Sequence, residues 1–197
     1  MHNIAKRQHW IFDMDGTLTV GVHDFVMMRR ELGMADDAPI LETLASLPTA
    51  EAAPLWDKVN ELEHHFASLA KPMPGALELL QKLQERSVKM GIITRNLHAV
   101  AQQTLRTCGL EEFFVEAYIL DRDSCTPKPS PVGLEYLMQT WQATQQDTVM
   151  VGDFLYDLQA GKAAGVATIH LDTKGQFAWP AYADWQVTHL ADIKLNN

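Results

Sequence analysis

WIFDMDGTLT, residues Trp10 to Thr19, runs an apolar triplet into two aspartates one residue apart, followed at once by a glycine. A buried strand over Trp10, Ile11 and Phe12 places Asp13 and Asp15 where the chain leaves the core, with both side chains on one side. Two carboxylates this close repel each other unless something holds them: a hard cation, a shared proton, or separate duties as nucleophile and acid. An Asp-Gly turn is the plainer alternative. A calcium loop of the helix-loop-helix kind also begins D-x-D, but its sixth position requires glycine where this chain has Leu18.

Outward from this stretch, "GTLTVGVHD" reads as a loop and the pattern up to about Leu69 as helical. Val22, Phe25, Val26 and Leu32 form the apolar side of a first segment and Ile40 to Leu47 a second. Leu55, Val59, Leu62, Phe66 and Leu69 mark a third, with Gly33, Pro39 and Pro48 as punctuation. "KPMPG", Lys71 to Gly75, reads as a hinge-like connection. Helix and strand then alternate. A helix carries Ala76, Leu77, Leu80 and Leu83, a buried strand covers Val88 to Ile93, and a helix runs from about Leu97 to Cys108, closed by Gly109. A strand at Ala117 to Leu120 precedes a helix starting near Ser130-Pro131. The series ends with a strand at Thr148 to Val151, a helix to about Ala164 and a strand at Ala167 to Leu171. This order predicts an α/β fold: a Rossmann-like three-layer sandwich around a mostly parallel sheet, with a small helical cap inserted after the first strand. The expected boundaries are 1–18 and 72–197 for the sheet domain and 19–71 for the cap.

The chain has 197 residues, 47% hydrophobic and 21% charged, enough for one good core with a small insert beside it. Its formal net charge of −9 argues against nonspecific attraction to nucleic acid or acidic membranes, yet leaves room for a small anion at one locally positive site. No stretch approaches a membrane span, and "MHNIAKRQHW" carries no apolar signal core, so a cytoplasmic protein is expected. Cys108 and Cys125 lack metal-ligand spacing and are expected as reduced thiols. No heptad seam stands out, which leaves a monomer or a small homo-oligomer.

Ligands of open parallel sheets bind at the carboxyl ends of the strands, and here those ends carry chemistry. The first ends in Asp13 and Asp15, "MGIITRN" in Thr94 and Asn96, and "VMVGDFLYD" in Asp153 and Asp157, while the loop after the Ala117 strand holds Lys128 within "TPKPSP". Asp13 and Asp153 together suit a hard cation such as Mg²⁺. Thr94 can offer its hydroxyl and nearby amides to a phosphate, with Lys128 neutralising charge on both the phosphate and a carboxylate nucleophile. Asp15 is then placed to protonate a leaving oxygen. Asn96 reads either as a phosphate contact or as the N-cap of the following helix.

The ordered set "DMDGT", "IITRN", "KPSP" and "GDFLYDLQAGKAAG" resembles the haloacid dehalogenase-like hydrolase superfamily, and within it the phosphoglycolate phosphatase-like members with a small helical cap. The likeness runs from about Trp10 to Leu171. It implies that Asp13 is the nucleophile and Asp15 the general acid and later the base. It also implies Mg²⁺ held by Asp13, Asp153 and the backbone carbonyl of Asp15, a phosphoryl group held by Thr94 and Lys128, and Asp157 as a supporting acid. Members that dehalogenate lack an aspartate at the position of Asp15, so its presence favours phosphate esters. The expected activity is hydrolysis of a small-metabolite phosphomonoester through an aspartyl-phosphate. A phosphosugar mutase of the same fold and a noncatalytic phosphate-binding module are the competing readings.

In the cap, His23, Arg29, Arg30, His64 and His65 are the polar residues to inspect for substrate contacts, against a solvated helix face as the plain alternative. Met27, Met28 and Trp56 read as cap packing. Arg95 reads as a substrate or surface contact, and the aromatics of "QFAWPAYADWQV" as packing for a last strand and loop.

Overall fold

The computed structural model describes residues 4–21 and 24–195; Val22 and His23, expected on the cap's first apolar face and among its substrate contacts, lie outside them. Strand β1 (His9–Phe12) buries Trp10, Ile11 and Phe12 completely. A strand covered on both faces needs a continuous apolar run, and the pleat sorts the triplet. Trp10 and Phe12 join one core cluster with Leu79, Leu80, Leu83 and Leu105, while Ile11 joins the other with Leu134, Leu137, Trp141 and Met150.

Strands β2 (Lys89–Ile93), β3 (Ile119–Leu120), β4 (Thr148–Gly152), β5 (Ala167–Leu171) and β6 (Trp185–Val187) complete a sheet of order β3-β2-β1-β4-β5-β6. Every pairing is parallel. Phe12 lies opposite Ile92 on one side and Val151 on the other, so the three central strands end level and their next residues converge. Helices α4 (Ala76–Glu85), α5 (His98–Cys108), α6 (Val132–Trp141) and α7 (Leu155–Ala163) cover the two faces.

Three local expectations change. The third strand is only Ile119–Leu120, because Glu116–Tyr118 turn as a 3-10 segment before it. In α4 the buried set includes Leu79 while Leu77 is exposed, since the face in contact with the sheet is centred on Leu79, Leu80 and Leu83. In α1 (Phe25–Glu31) Phe25 and Val26 are 54% and 56% exposed, and the inward face is Met28, continued by Leu32.

Helices α1, α2 (Ile40–Ser46) and α3 (Thr49–Leu69) make up the insert. Met28, Leu32, Ile40, Leu44, Val59 and Phe66 form a hydrophobic cluster of its own, while Leu69 points to solvent. The two connecting segments run side by side. Thr19 bridges Pro72, the Val20 N–H donates to the Lys71 carbonyl at 2.9 Å, and the Met73 N–H donates to Leu18 at 2.9 Å. Both cysteines are free thiols. Among the described residues no helix is long and apolar enough to cross a membrane.

Candidate active site

The level ends of β1, β2 and β4 bring Asp13, Thr94 and Asp153 to one rim of the sheet. The Asp13 N–H still donates to the Val151 carbonyl at 2.9 Å, extending the ladder by one residue and aiming the carboxylate out of the core. Lys128, on the loop after β3, crosses to it: Nζ lies 2.5 Å from Asp13 Oδ1 and 2.6 Å from Asp157 Oδ1. The other Asp157 oxygen accepts the Phe154 N–H at 3.1 Å, so this carboxylate also caps the start of α7. Asp13, Asp153 and Asp157 each present an oxygen within 4.8 Å of the others.

Lys128 thus pairs with two of the three clustered carboxylates. Burial works against the Lys128 charge but is outweighed by Asp13 and Asp157, which hold its pKa above the ordinary lysine value. Burial pushes the Asp153 carboxyl up to about 8, helped by the charges of Asp13 and Asp157. Asp157 rises to about 6 for the same first reason, with Asp13 adding to it and the Lys128 pair opposing it. The protein alone leaves negative charge here insufficiently compensated.

Gly16 lets the loop after β1 pass close against the Asp153 side chain. Its φ is +89°, and a Cβ there would lie 2.2 Å from Asp153 Oδ2, inside the carboxylate itself. Thr17 Oγ1 donates to the other Asp153 oxygen at 3.3 Å. Gly16→Ala is therefore expected to displace Asp153, with a loss of turnover of about 100-fold or more; steady-state kinetics on a soluble, folded variant checks it.

Asn96 is not the helix cap that one sequence alternative made it; that position belongs to Leu97. The Asn96 N–H donates to Thr94 Oγ1 at 3.1 Å, and its side-chain amide donates to Asp15 Oδ2 at 2.6 Å. Thr94 itself is almost fully buried.

The polar residues anticipated in the insert turn elsewhere. Arg29 donates to the Ala38 carbonyl at 2.9 Å, Arg30 is exposed, His64 meets Gln103 of α5 at 2.7 Å, and His65 packs beside Phe66. The insert instead presents Glu42, Trp56, Asn60 and Glu63. Arg122 donates to Glu63 at 2.9 Å and to Asn60 at 2.8 Å, lies over the Trp56 ring at 5.0 Å, and through its N–H is tied to the Asn96 carbonyl at 3.1 Å. Arg95 pairs with Glu42 and lies over the Tyr156 ring at 5.5 Å. The signal for Glu63 was visible: Val59, Glu63 and Phe66 share the i, i+4, i+7 apolar stripe, where a carboxylate is out of place. Burial raises its pKa, Arg122 lowers it and the Asp15 charge raises it.

One of the C-terminal aromatics reaches the loop that carries Asp153. Trp179 sits 5.2 Å from the Phe154 ring and 5.3 Å from His170, and so backs the loop that carries Asp153.

A profile describing haloacid dehalogenase-like hydrolases matches residues 28–171. The chain belongs to the haloacid dehalogenase-like hydrolase family. The matched span starts after Asp13 and Asp15. A haloacid dehalogenase-like hydrolase domain-containing protein of Arabidopsis thaliana is 32% identical over 180 residues, spanning 85% of this chain and 71% of its own. Pyrophosphatase PpaX of Halalkalibacterium halodurans is 28% identical over 174 residues, 80% of each chain. Among solved structures, a haloacid dehalogenase-like hydrolase from Bacteroides fragilis superposes with a TM-score of 0.79 at 19% identity, over 96% of this chain and 100% of that one. As a member of this family the protein is a hydrolase on a Rossmann-like parallel sheet, and the acidic cluster at its strand ends is consistent with a divalent metal.

Proposed function

We propose that this hydrolase is a Mg²⁺-dependent phosphatase that cleaves a small-metabolite phosphomonoester through an aspartyl-phosphate. The observation that carries the reading is Lys128 bridging Asp13 and Asp157 beside Asp153, at the ends of strands that the chain brings together from far apart. Asp13 attacks phosphorus, forming the Oδ–P bond as the ester P–O bond breaks. Asp15 delivers its proton to the leaving oxygen, then takes one from the water that cleaves the acyl phosphate. Asn96 holds Asp15 in place. Lys128 and the Thr94 hydroxyl hold the phosphoryl oxygens, and Lys128 lowers the repulsion between them and Asp13.

The residues fit a hard cation: three carboxylate oxygens cluster, and burial together with the charges of the neighbouring acids raises two of them. Asp13, Asp153 and the Asp15 carbonyl would hold Mg²⁺, with Asp157 as support, and the ion would neutralise charge on the transferring phosphoryl group. Residues 19–71 act as a cap over a sheet domain of 1–18 and 72–197, a division supported by the paired linkers and the insert's separate core. Phosphate release from a panel of small phosphomonoesters and inorganic pyrophosphate, with Mg²⁺ or with chelator, tests the reading. Turnover of a monoester that needs the metal supports it. No release from any monoester by folded, Mg²⁺-supplied protein would sink it.

The site also predicts how stability depends on pH. Asp153 and Asp157 have folded pKa values above the ordinary aspartate range, so between about pH 4 and pH 8 the folded state binds more protons than the unfolded one. Their contribution is fully present below pH 4 and is lost as pH rises towards 8. In chelator, the thermal midpoint is expected to fall over that range relative to an Asp153→Asn variant. Added Mg²⁺ is expected to raise it more at pH 8 than at pH 5. An equal Mg²⁺ effect at both pH values would contradict the assignment.

A further inference from the structure

A cleft of about 430 Å³ between insert and sheet domain is lined by two arginines, Arg95 and Arg122. Each has an acidic partner on the insert, but the two pairs differ in how readily a ligand could take one apart. The Arg122 and Glu63 side chains are 9% and 6% exposed, with Asn60 and the Trp56 ring also on the guanidinium. Separating a buried pair strands a charge, so this pair is fixed. The Arg95 and Glu42 side chains are 29% and 51% exposed. An exposed pair contributes little, and water receives the released carboxylate, so Arg95 can change partners.

The sheet explains where Arg95 stands. It follows Thr94 beyond the end of β2, and Tyr156 lies three residues past Asp153 beyond the end of β4. These two strands flank β1, roughly 10 Å apart across it. The Arg95 guanidinium lies over the Tyr156 ring at 5.5 Å, so the side chain spans the end of β1, where Asp13 emerges. The ring steadies the head group and leaves N–H groups free to meet an anion, a place that Glu42 takes here. In-line displacement puts the leaving oxygen opposite the attacking Asp13 oxygen. The leaving group of an ester therefore points outward from the strand end, towards the insert and the arginine that meets it.

We infer that Arg95 determines specificity: it gives up Glu42 for a second negative group on the leaving part of the ester, a carboxylate or a further phosphate. In the free protein Glu42 occupies the place of that group, and it turns to solvent when the group arrives. An ester with an uncharged tail leaves the pair intact and gains nothing from it. The inference rests on the phosphatase reading for where the phosphorus sits.

Phosphoglycolate, its neutral isostere phosphoglycolamide, and ethylene glycol bisphosphate test it. Titration calorimetry on the Asp13→Asn protein with Mg²⁺ reads binding without turnover. At least one of the two esters with a second charge is expected to bind about tenfold more tightly than the amide, and the tighter of them tells carboxylate from phosphate. Adding Arg95→Gln is expected to bring that ester within about twofold of the amide, whereas Arg95→Lys, which keeps the charge but not the fork, leaves part of the gap. Adding Glu42→Gln instead removes the competing carboxylate and is expected to widen the gap about threefold further. An amide bound as tightly as both charged esters, a gap that survives Arg95→Gln, or a gap that narrows with Glu42→Gln would each overturn the inference, as would failure of all three esters to bind. Phosphate release from the same esters by the unsubstituted enzyme reads the chemistry separately. Release without any preference for the second charge removes only the role of Arg95, and an Arg95-dependent preference without release from any ester removes only the phosphatase reading.

Discussion

Asp13→Asn is expected to reduce phosphate release by a factor on the order of 10⁴ or more, with the fold intact. The amide is isosteric with the carboxylate and its oxygen can still accept from Lys128, so the 2.5 Å contact has a structural substitute. The amide cannot act as the nucleophile. The substitution also removes one of three clustered negative charges. The metal-free variant should therefore unfold at a temperature no lower than the parent, while single-turnover assays show no acyl-phosphate. A variant retaining a tenth of parental turnover would exclude Asp13 as the nucleophile.

Lys128→Met carries the second large effect, on stability as much as on activity. Methionine fills similar space but leaves Asp13 and Asp157 without their shared cation, and breaking a buried pair from one side costs about 3 to 5 kcal/mol. The sign of its pH dependence follows from the acids left behind. As pH falls below the raised values of Asp153 and Asp157, about 8 and about 6, these two take up protons and the deficit shrinks; as pH rises towards 8 they must ionise beside one another and it grows. Mg²⁺ should restore part of the stability but little of the turnover, because the phosphoryl oxygens still lack the lysine. Denaturant titrations at pH 5 and pH 8, each with and without Mg²⁺, read this pattern. A loss that is independent of pH would assign Lys128 a packing role only.

The sheet was legible because a doubly covered parallel strand leaves a plain trace: Trp10 to Phe12 and Thr148 to Gly152 are uninterrupted buried runs ending in aspartates. The same trace predicted which side chains meet, since parallel strands in register end together. The short β3 was harder to delimit, because two residues of strand after a 3-10 turn carry no periodicity. The insert was legible as helices but not by face. A small cluster of six buried side chains leaves Phe25 and Val26 outside, and apolar spacing alone cannot tell which of two stripes is covered. Arg29 and His64 are used within the scaffold, whereas Arg122 meets Asn60 and Glu63 only once the insert is seated. Glu63 shows locally as a carboxylate in an apolar stripe, but nothing local marks Arg122 as its partner. Likewise, the contact between Trp179 and the loop of Asp153 depends on β5 and the segment after it folding back beside β4.

The bridge between Thr19 and Pro72 has a consequence for how the chain closes on itself. The ends of the insert already lie at hydrogen-bonding distance, so the chain leaves the sheet domain and returns to it at one place. The entropic cost of closing such a loop grows only with the logarithm of its length. What lies between these ends can therefore be lengthened, shortened or exchanged at small cost to the sheet, whose core it does not share. Such a junction allows the same catalytic floor to be refitted with a different roof while the strand ends that hold Asp13 and Asp153 stay where they are.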